Sequence, residues 1–314
     1  SAAGPMAPLA FVGPYRVAAM HWKTTRFDVD LSEPQIMGIV NLTPDSFSDG
    51  GQFPNASHAL QHCEQLLKDG AHMLDIGGES TRPGSAGVRV EEELRRVLPV
   101  VSEAVKFNVP ISVDTSKPEV MAAVLDLGAD IINDVWALRR AGVDGGPNAT
   151  DVVRVHPACG VCVMHMHGDP LTMQALPMEG DVVSPVLFFL ERSAQALQAL
   201  GVNKARIAID PGIGFGKTVA QNFALLARQS ELLPAGYPLL VGWSRKSSLG
   251  AVCADADGRV PVAARRLGGS VAAALLSVER GAHVVRVHDV RETAQALKVL
   301  RAATTLRPDV RLPV

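Results

Sequence analysis

Charged and amide side chains recur in this sequence where short apolar segments end. The residues at these positions are Asn41, Asp75, Asp114, Asn133, His165, Asp210, Ser244 to Lys246, Arg286 and His288. Carboxylates and amides hydrogen-bond to the polar edge of a ligand, whereas basic side chains bind anions such as phosphate. A single residue of this kind could cap the following helix, an interpretation that stays open for Asp75 and Ser116. Helix caps do not account for several acids and bases at corresponding positions, so the sequence predicts one polar ligand site.

Eight apolar segments carry these residues, and a segment with helical character follows each of them. We predict strands at 36–41, 73–78, 111–116, 131–135, 161–167, 207–211, 239–244 and 284–290. We predict helices at 57–69, 91–107, 117–127, from near Thr150, 182–200, 219–232, 262–281 and 291–302. Eight such units in 314 residues predict an α/β protein with a single-domain (β/α)₈ TIM barrel at 35–303. Residues 1–34 and 304–314 are expected to form an N-terminal extension and a C-terminal tail outside the repeating pattern.

The carboxyl ends of parallel strands meet on one face of such a barrel, where TIM-barrel enzymes build their active sites. Two glycine-rich segments follow these ends, Asp75 to Gly84 and Asp210 to Thr218. Backbone N–H groups exposed at glycines and helix starts bind phosphate groups, so either segment could hold a diphosphate. The second segment is one residue short of a Walker loop, which argues against nucleotide hydrolysis.

Composition limits the classes of partner. The chain contains 47% hydrophobic but only 4% aromatic residues, its net charge is −2 and its pI is near 6.5. This balance gives no electrostatic footprint for nucleic acid or an anionic membrane, so we expect small-molecule ligands. No segment reaches the roughly 18 apolar residues of a membrane span. Pro14 and Arg16 interrupt the N-terminal apolar stretch, so it makes a poor signal peptide, and we expect a cytoplasmic protein.

Two short motifs suggest other chemistry. Cys159 and Cys162 have the spacing of a redox motif but lack a thioredoxin-like context, so we expect ordinary buried thiols. His165 and His167 alternate along a predicted strand and could ligate a metal ion at the barrel mouth. No acidic or lysine ligand set accompanies them, so we favour packing roles.

The order of motifs along the chain resembles the dihydropteroate synthase family of pterin-binding enzymes. The resemblance covers residues 36–290 and rests on Asn-Leu-Thr-Pro-Asp-Ser-Phe-Ser-Asp-Gly-Gly, Gly-Gly-Glu-Ser-Thr-Arg-Pro-Gly, Ser-Val-Asp-Thr, Ile-Asn-Asp, Asp-Pro-Gly-Ile-Gly-Phe-Gly-Lys, Ser-Arg-Lys-Ser and Arg-Val-His-Asp. This family joins a dihydropterin diphosphate to 4-aminobenzoate in folate biosynthesis and is usually dimeric. The resemblance therefore implies the same transferase activity and a homodimer.

For the pterin, the resemblance implies a pocket inside the barrel mouth. Asp210 would accept two hydrogen bonds from the guanidine-like edge of the ring, and Lys246 would donate to its carbonyl side. The other pterin contacts that it implies are Asp114, Asn133, Met164, Phe215 and Gly242.

The resemblance also implies contacts for the other substrate groups. Those to the diphosphate are Asn41, Thr81, Arg82, Arg286 and His288. Mg²⁺ is the implied cofactor and would bridge Asn41 and phosphate oxygens, since this ion takes few protein ligands. The implied contacts of 4-aminobenzoate, at the outer edge of the pocket, are Phe47, Pro83 and Ser247. This division of roles predicts that loss of Arg286 weakens diphosphate binding and spares free pterin.

The implied reaction breaks the bond between the pterin methylene carbon and a diphosphate oxygen. An electron-rich pterin stabilises the resulting cation, which favours a dissociative, S_N1-like path. Asp49, Asp114 and Lys246 are the implied catalytic residues. The arylamine attacks as a neutral amine, so we assign no general base, and we expect the first two loops to close over the ligands and exclude water.

Two alternatives remain open at this point. One is a barrel that presents methyltetrahydrofolate to a corrinoid protein, because such methyltransferases share the Asn-Asp and Asp-Pro-Gly pterin contacts. The other is a pterin-binding protein without activity. The first two loops, Ser244 to Ser247 and the anion-binding residues argue against both. Trp136, Trp243 and the Cys159–Cys162 pair depart from the family pattern.

Overall fold

The computed structural model describes residues 20–43, 56–80, 87–168 and 178–305, with side chains up to residue 303. The strands in these ranges are β1 (His21–Lys23), β2 (Asp28–Asp30), β3 (Gln35–Asn41), β4 (Met73–Gly77), β5 (Ile111–Asp114), β6 (Ile131–Asp134), β7 (Gly160–Met164), β8 (Ile207–Asp210), β9 (Leu240–Val241) and β10 (Val284–Val287). The α-helices are α1 (Ala56–Asp69), α2 (Val90–Ala104), α3 (Pro118–Asp126), α4 (Ala149–Val155), α5 (Val183–Ala199), α6 (Val219–Ala227), α7 (Ser247–Val252), α8 (Leu267–Glu279) and α9 (Val290–Thr305). No helix in the described ranges is both long enough and apolar enough to cross a membrane.

Strands β3 to β10 form one parallel sheet that closes into a barrel. Each strand pairs with its neighbour in chain order from β3 to β8, and β10 pairs with both β3 and β9. A parallel bridge between Ile209 and Leu239 joins β8 to β9. These strands are almost entirely buried because helices cover the sheet outside and side chains fill it inside. The predicted TIM barrel is therefore confirmed, with every predicted strand present.

The described part of the predicted N-terminal extension packs against the barrel. Strands β1 and β2 pair as an antiparallel hairpin. The fully buried Trp22 donates its indole N–H to the carbonyl of Arg206, at 3.0 Å. It also belongs to an apolar cluster with Leu31, Met37, Met73, Ile131, Cys162, Ala208, Leu240 and Val284. Met73, Ile131, Leu240 and Val284 are the first residues of their strands, so the hairpin fills the barrel at the end opposite the carboxyl ends of the strands.

The helices differ from the prediction mainly after β9. The sequence predicts one helix at 262–281, whereas a 3₁₀ turn at Ala263–Arg265 precedes α8. The Arg266 side chain donates to the carbonyls of Pro261 and Arg245, both at 2.9 Å, and holds this segment as a turn. The short helix α7 was not predicted at all. Helix α4 begins at Ala149, close to the predicted Thr150.

Candidate active site

An arginine on the last strand joins two carboxylates inside the mouth of the barrel. The Arg286 guanidinium donates to Asp75 at 2.6 Å and to Asp114 at 2.9 Å. Asp75 is fully buried and accepts two more hydrogen bonds, from Ser112 at 2.6 Å and from Asn133 at 3.1 Å. A buried carboxylate is stable only when it is paired and hydrogen-bonded in this way. Asp75 is thus a structural anchor, and its interpretation as a helix cap is wrong.

Asp114 presents one carboxylate oxygen that no other described residue contacts by a hydrogen bond. Its Oδ2 accepts from Arg286, whereas the buried Oδ1 has no hydrogen-bond partner in the described part of the chain. Burial raises the pKa of Asp114 to about 7, with Arg286 opposing the shift and Asp75 adding to it. An orphaned buried acceptor costs about 1 to 3 kcal/mol, and a ligand N–H donor would remove that cost. Asp114 is therefore built to contact a ligand.

A second carboxylate of the site, Asp210, is the last residue of β8. Asp210 Oδ1 accepts the backbone N–H of Gly212 at 2.7 Å, and burial raises the pKa of Asp210. Gly212 has a φ of +67°, and a Cβ there would collide with the carbonyl of His165. The Lys217 amine donates to the carbonyls of Gly212 at 2.8 Å and Phe215 at 3.1 Å. The glycines thus let the loop fold tightly beside the mouth, around a buried lysine.

A buried cluster of apolar side chains, the wall of the proposed apolar slot, lies beside these polar groups. Val135, Met164, Met166 and Phe215 form a buried cluster, with the partly buried Trp136 packed against it. Trp136 is held because Asp134 accepts the backbone N–H groups of Trp136 at 2.8 Å and Leu138 at 2.7 Å. Such a slot, with a few polar groups at its edge, suits a flat heteroaromatic ring. Trp136 therefore forms part of the slot wall, whereas Trp243 is buried elsewhere against Phe223, with ring centroids 5.2 Å apart.

Lys246 lies between the slot and the loop after β8. Its amine donates to the carbonyl of Ile213 and sits 4.7 Å from the centroid of the Phe215 ring. Burial lowers the pKa of Lys246 to about 8, with Asp210 opposing the shift. The amine therefore keeps its positive charge at neutral pH.

The remaining described candidates surround this centre. His288 Nδ1 lies 3.0 Å from Ser244 Oγ. A Cβ at Gly242 would lie 3.8 Å from Arg286 Cβ, so its absence leaves space beside the arginine. Asn41 ends β3 and Ser247 opens α7, on the exposed side of Lys246. Asp49, Phe47, Thr81, Arg82 and Pro83 lie outside the described residues, and their roles stay predictions.

Among the described residues, neither alternative motif is joined by groups that would make a second site. His165 is buried and His167 is exposed, and strand β7 ends before both of them. The described ranges contain no group of three or more His, Cys, Asp or Glu side chains that could hold a metal ion. Cys159 and Cys162 are free and buried, and burial raises the pKa of both thiols. The interpretation of the two cysteines as buried thiols is confirmed.

A donor set without an acidic cluster is nevertheless compatible with Mg²⁺. This ion usually keeps several waters and binds substrate phosphates through one or two protein oxygens. The carboxamide of Asn41, at the carboxyl end of β3, provides one such oxygen. Its position fits the predicted role.

Comparisons with known proteins extend the similarity over the whole barrel. A family model described as pterin binding enzyme matches residues 37–288. A relative from Neisseria meningitidis serogroup B, named dihydropteroate synthase, is 51% identical over 287 residues, which cover 90% of this chain and 96% of that protein. The solved structure of Xanthomonas albilineans dihydropteroate synthase with 4-aminobenzoic acid is 44% identical, with a TM-score of 0.82, and the match covers 92% of this chain and 100% of that one. The structure of Burkholderia cenocepacia dihydropteroate synthase complexed with 7,8-dihydropteroate is 45% identical, with a TM-score of 0.79 and coverage of 91% and 96%.

Proposed function

The chain belongs to the pterin-binding enzyme family, among its dihydropteroate synthases, and we propose that it condenses 6-hydroxymethyl-7,8-dihydropterin diphosphate with 4-aminobenzoate. The products are 7,8-dihydropteroate and diphosphate, in folate biosynthesis. The observation that carries this proposal is the Oδ1 of Asp114, which has no partner among the described residues, at the mouth of a barrel that also presents Asp210, Lys246 and an apolar slot.

The pterin fits these groups by chemical complementarity. Adjacent ring N–H donors would bind Asp210 as a bidentate pair, and Asp114 Oδ1 would accept a further ring N–H. Lys246 would turn from the carbonyl of Ile213 toward the carbonyl side of the ring. Asn133 already donates one N–H to Asp75, so its second N–H and its carboxamide oxygen remain for the ligand. Met164 and Phe215 supply the apolar faces, and Gly242 leaves room beside Arg286.

The diphosphate binds where basic groups meet the ends of β3 and β10. Arg286 brings positive charge to this side, His288 lies beside it, and Asn41 would hold Mg²⁺, which neutralises charge on the leaving group when bound. Arg286 is already engaged by Asp75 and Asp114. Arg286 would therefore attract the diphosphate through its charge as well as through a direct contact. Thr81 and Arg82 would supply additional contacts to the diphosphate.

The reaction proceeds in two steps. The methylene carbon–oxygen bond breaks with its electron pair leaving on the diphosphate, and the nitrogen lone pair of 4-aminobenzoate then forms the carbon–nitrogen bond. The ammonium formed in this step loses a proton to water. Asp114 and Asp49 stabilise the intermediate cation by their negative charge, and Lys246 fixes the ring that carries it. Phe47, Pro83 and Ser247 hold the arylamine at the outer edge.

A homodimer is the assembly we propose, with α8 in the interface. This helix carries no charged residue from Leu267 through Val278. Leu267 and Leu276 on α8 are each 37% exposed and Val252 on α7 is 57% exposed. An uncharged helix face of this kind is typical of subunit interfaces. Leu276→Glu should convert a dimer into a monomer, as measured by sedimentation velocity. Val299→Glu is the control and should leave the dimer intact, because Val299 lies on α9 and is 70% exposed.

Turnover tests the proposed activity directly. The protein is incubated with Mg²⁺, dihydropterin diphosphate and 4-aminobenzoate, and diphosphate release is measured while dihydropteroate is detected by mass spectrometry. Release that requires the arylamine and yields dihydropteroate supports the proposal. Controls omit 4-aminobenzoate or use the Asp210→Asn variant. Pterin binding without turnover, or methyl transfer from methyltetrahydrofolate to cobalamin, would support the inactive binder or the methyltransferase instead.

A further inference from the structure

A buried asparagine on α6 joins the loop after β8 to the first turn of α7. Asn222 is only 1% exposed. Its Oδ1 accepts the backbone N–H of Gly214 at 2.8 Å, and its Nδ2 donates to Ser248 Oγ at 2.9 Å. A reversed amide would place an N–H donor against the Gly214 N–H, so these partners define the orientation of the side chain.

The Gly214 end of this link controls the position of Lys246. Gly214 has a φ of +82°, and a Cβ at this position would lie 3.2 Å from Lys246 Cδ. The lysine stem therefore lies directly against Gly214, while its amine donates to the carbonyl of the preceding Ile213. A shift of this loop would move Lys246 and the neighbouring Phe215 together.

The Ser248 end controls the start of α7. Lys246 is the N-cap of this helix, Ser247 is its first residue, and Ser248 follows as a buried residue. Ser247 is exposed and faces a cavity of about 220 Å³ that Gly214, Asn222 and Ser248 also line. Helix α7 has only six residues, so a hydrogen bond in its first turn has a large effect on its position.

We propose that Asn222 is a positioning residue that fixes the start of α7, and with it Ser247 on the arylamine side, relative to the loop after β8, whose Ile213 and Gly214 hold Lys246 on the pterin side. This inference rests on the proposed synthase function. Substitution of Asn222 or Ser248 leaves the pterin-binding carboxylates Asp114 and Asp210 in place but lets the start of α7 move. Misplacement of a reacting group by about 1 Å can cost about 100-fold in rate.

Ser248→Ala removes only the α7 arm of the link. We expect a rise of about 10-fold in the KM for 4-aminobenzoate, the value of one lost hydrogen bond. Dihydropterin diphosphate should bind with unchanged affinity in calorimetric titration. Ser248→Thr keeps a hydroxyl group and should restore the KM.

Asn222→Ala removes both arms and should lower kcat as well, by about 10- to 100-fold. In the double variant the Ser248 substitution should add little, because the two residues act through one link. Gln229→Ala is the matched control, since Gln229 is also a buried amide but donates to the carbonyls of Ser277 at 2.8 Å and Arg280 at 3.2 Å, on other elements. It should reduce thermal stability without changing either KM.

If the wild-type protein turns over its substrates, the synthase function stands, and any of three results would then overturn the inference about Asn222. They are an unchanged KM for 4-aminobenzoate in Ser248→Ala, an equal rise in Gln229→Ala, and a parallel loss of dihydropterin diphosphate affinity. A wild-type protein without turnover would instead overturn the proposed function itself.

Discussion

Arg286 Nη2 lies 2.9 Å from Oδ2 of Asp114, although the two residues are 172 positions apart in the chain. The same guanidinium also bonds Asp75, so one cation orients the ligand-facing carboxylate and compensates two buried charges. This arrangement would couple the proposed pterin subsite to the proposed diphosphate subsite. The position of Arg286 therefore predicts that it contributes to pterin binding as well as to diphosphate binding.

Arg286→Ala should therefore weaken binding of free pterin as well as of the diphosphate ester, contrary to the expectation from sequence. Removal of one partner from a buried ion pair also costs stability, about 3 to 5 kcal/mol. Arg286→Lys retains the positive charge, so its affinities for free pterin and for the diphosphate ester should fall less than those of Arg286→Ala. Calorimetric titration with both ligands measures the two affinities.

The control is Arg291→Ala, which breaks an exposed pair with Asp69 at 2.8 Å on the outer surface. We expect no change in either affinity from it. Full affinity of Arg286→Ala for free pterin would restore a role in diphosphate binding alone and contradict the coupling.

The pH dependence of activity should follow two groups at the mouth. Burial raises the pKa of Asp114 to about 7 and lowers that of Lys246 to about 8. Asp114 loses its negative charge as the pH falls through 7, and Lys246 loses its positive charge as the pH rises through 8. The value of kcat/KM for dihydropterin diphosphate should then be bell-shaped across this range.

Lys246→Arg separates the two limbs of this profile. Arginine stays protonated at all practical pH values, so the alkaline limb should disappear while the acid limb remains. An alkaline limb of unchanged position in this variant would assign it to another group.

The barrel could be predicted because each strand is recognisable from the composition of its own short segment. Segments such as Ile207–Asp210 are short, apolar and followed by glycine and proline, and a strand covered on both faces has this composition. Positions at the carboxyl ends of the strands follow directly from the fold, which is why Asp114, Asp210 and Lys246 were identified.

Contacts between distant parts of the chain were not predictable in this way. Asp75 and Arg286 are 211 residues apart, and no local pattern assigns them to each other. A charged residue in the middle of the apolar run Met73–Gly77 was the available signal, since a buried carboxylate requires a partner. Asn222 gave no such signal, because an asparagine in a helix is unremarkable until its neighbours are known.

Trp22 in the N-terminal hairpin should be important for stability. Its ring is fully buried at the base of the barrel, so Trp22→Ala should lower the free energy of unfolding by about 3 to 5 kcal/mol. Phe188→Ala provides the comparison, because Phe188 is an aromatic residue that is 61% exposed, and the expected loss is below about 0.5 kcal/mol. Urea unfolding followed by circular dichroism measures both, and similar midpoints would show that the barrel does not need the hairpin.

Asp210→Asn tests the pterin subsite with the smallest change of shape. The asparagine oxygen can still accept the N–H of Gly212, which Asp210 now accepts at 2.7 Å, so the loop after β8 should keep its conformation. The second carboxylate oxygen becomes an NH₂ group that faces the N–H donors of the ring. Two charge-assisted hydrogen bonds are lost and replaced by a donor–donor contact, so pterin affinity should fall at least about 100-fold.

Calorimetry with free pterin measures this loss, and an unchanged melting temperature shows that the fold is intact. Asp134→Asn is the control for a buried carboxylate at the end of a strand, because Asp134 accepts from Trp136 and Leu138 rather than from a ligand. Asp134→Asn should change the melting temperature of the protein more than its affinity for pterin. Wild-type pterin affinity in Asp210→Asn would place the ring elsewhere in the mouth and leave Asp114 as its main anchor, since the Oδ1 of Asp114 has no partner in the described part of the protein.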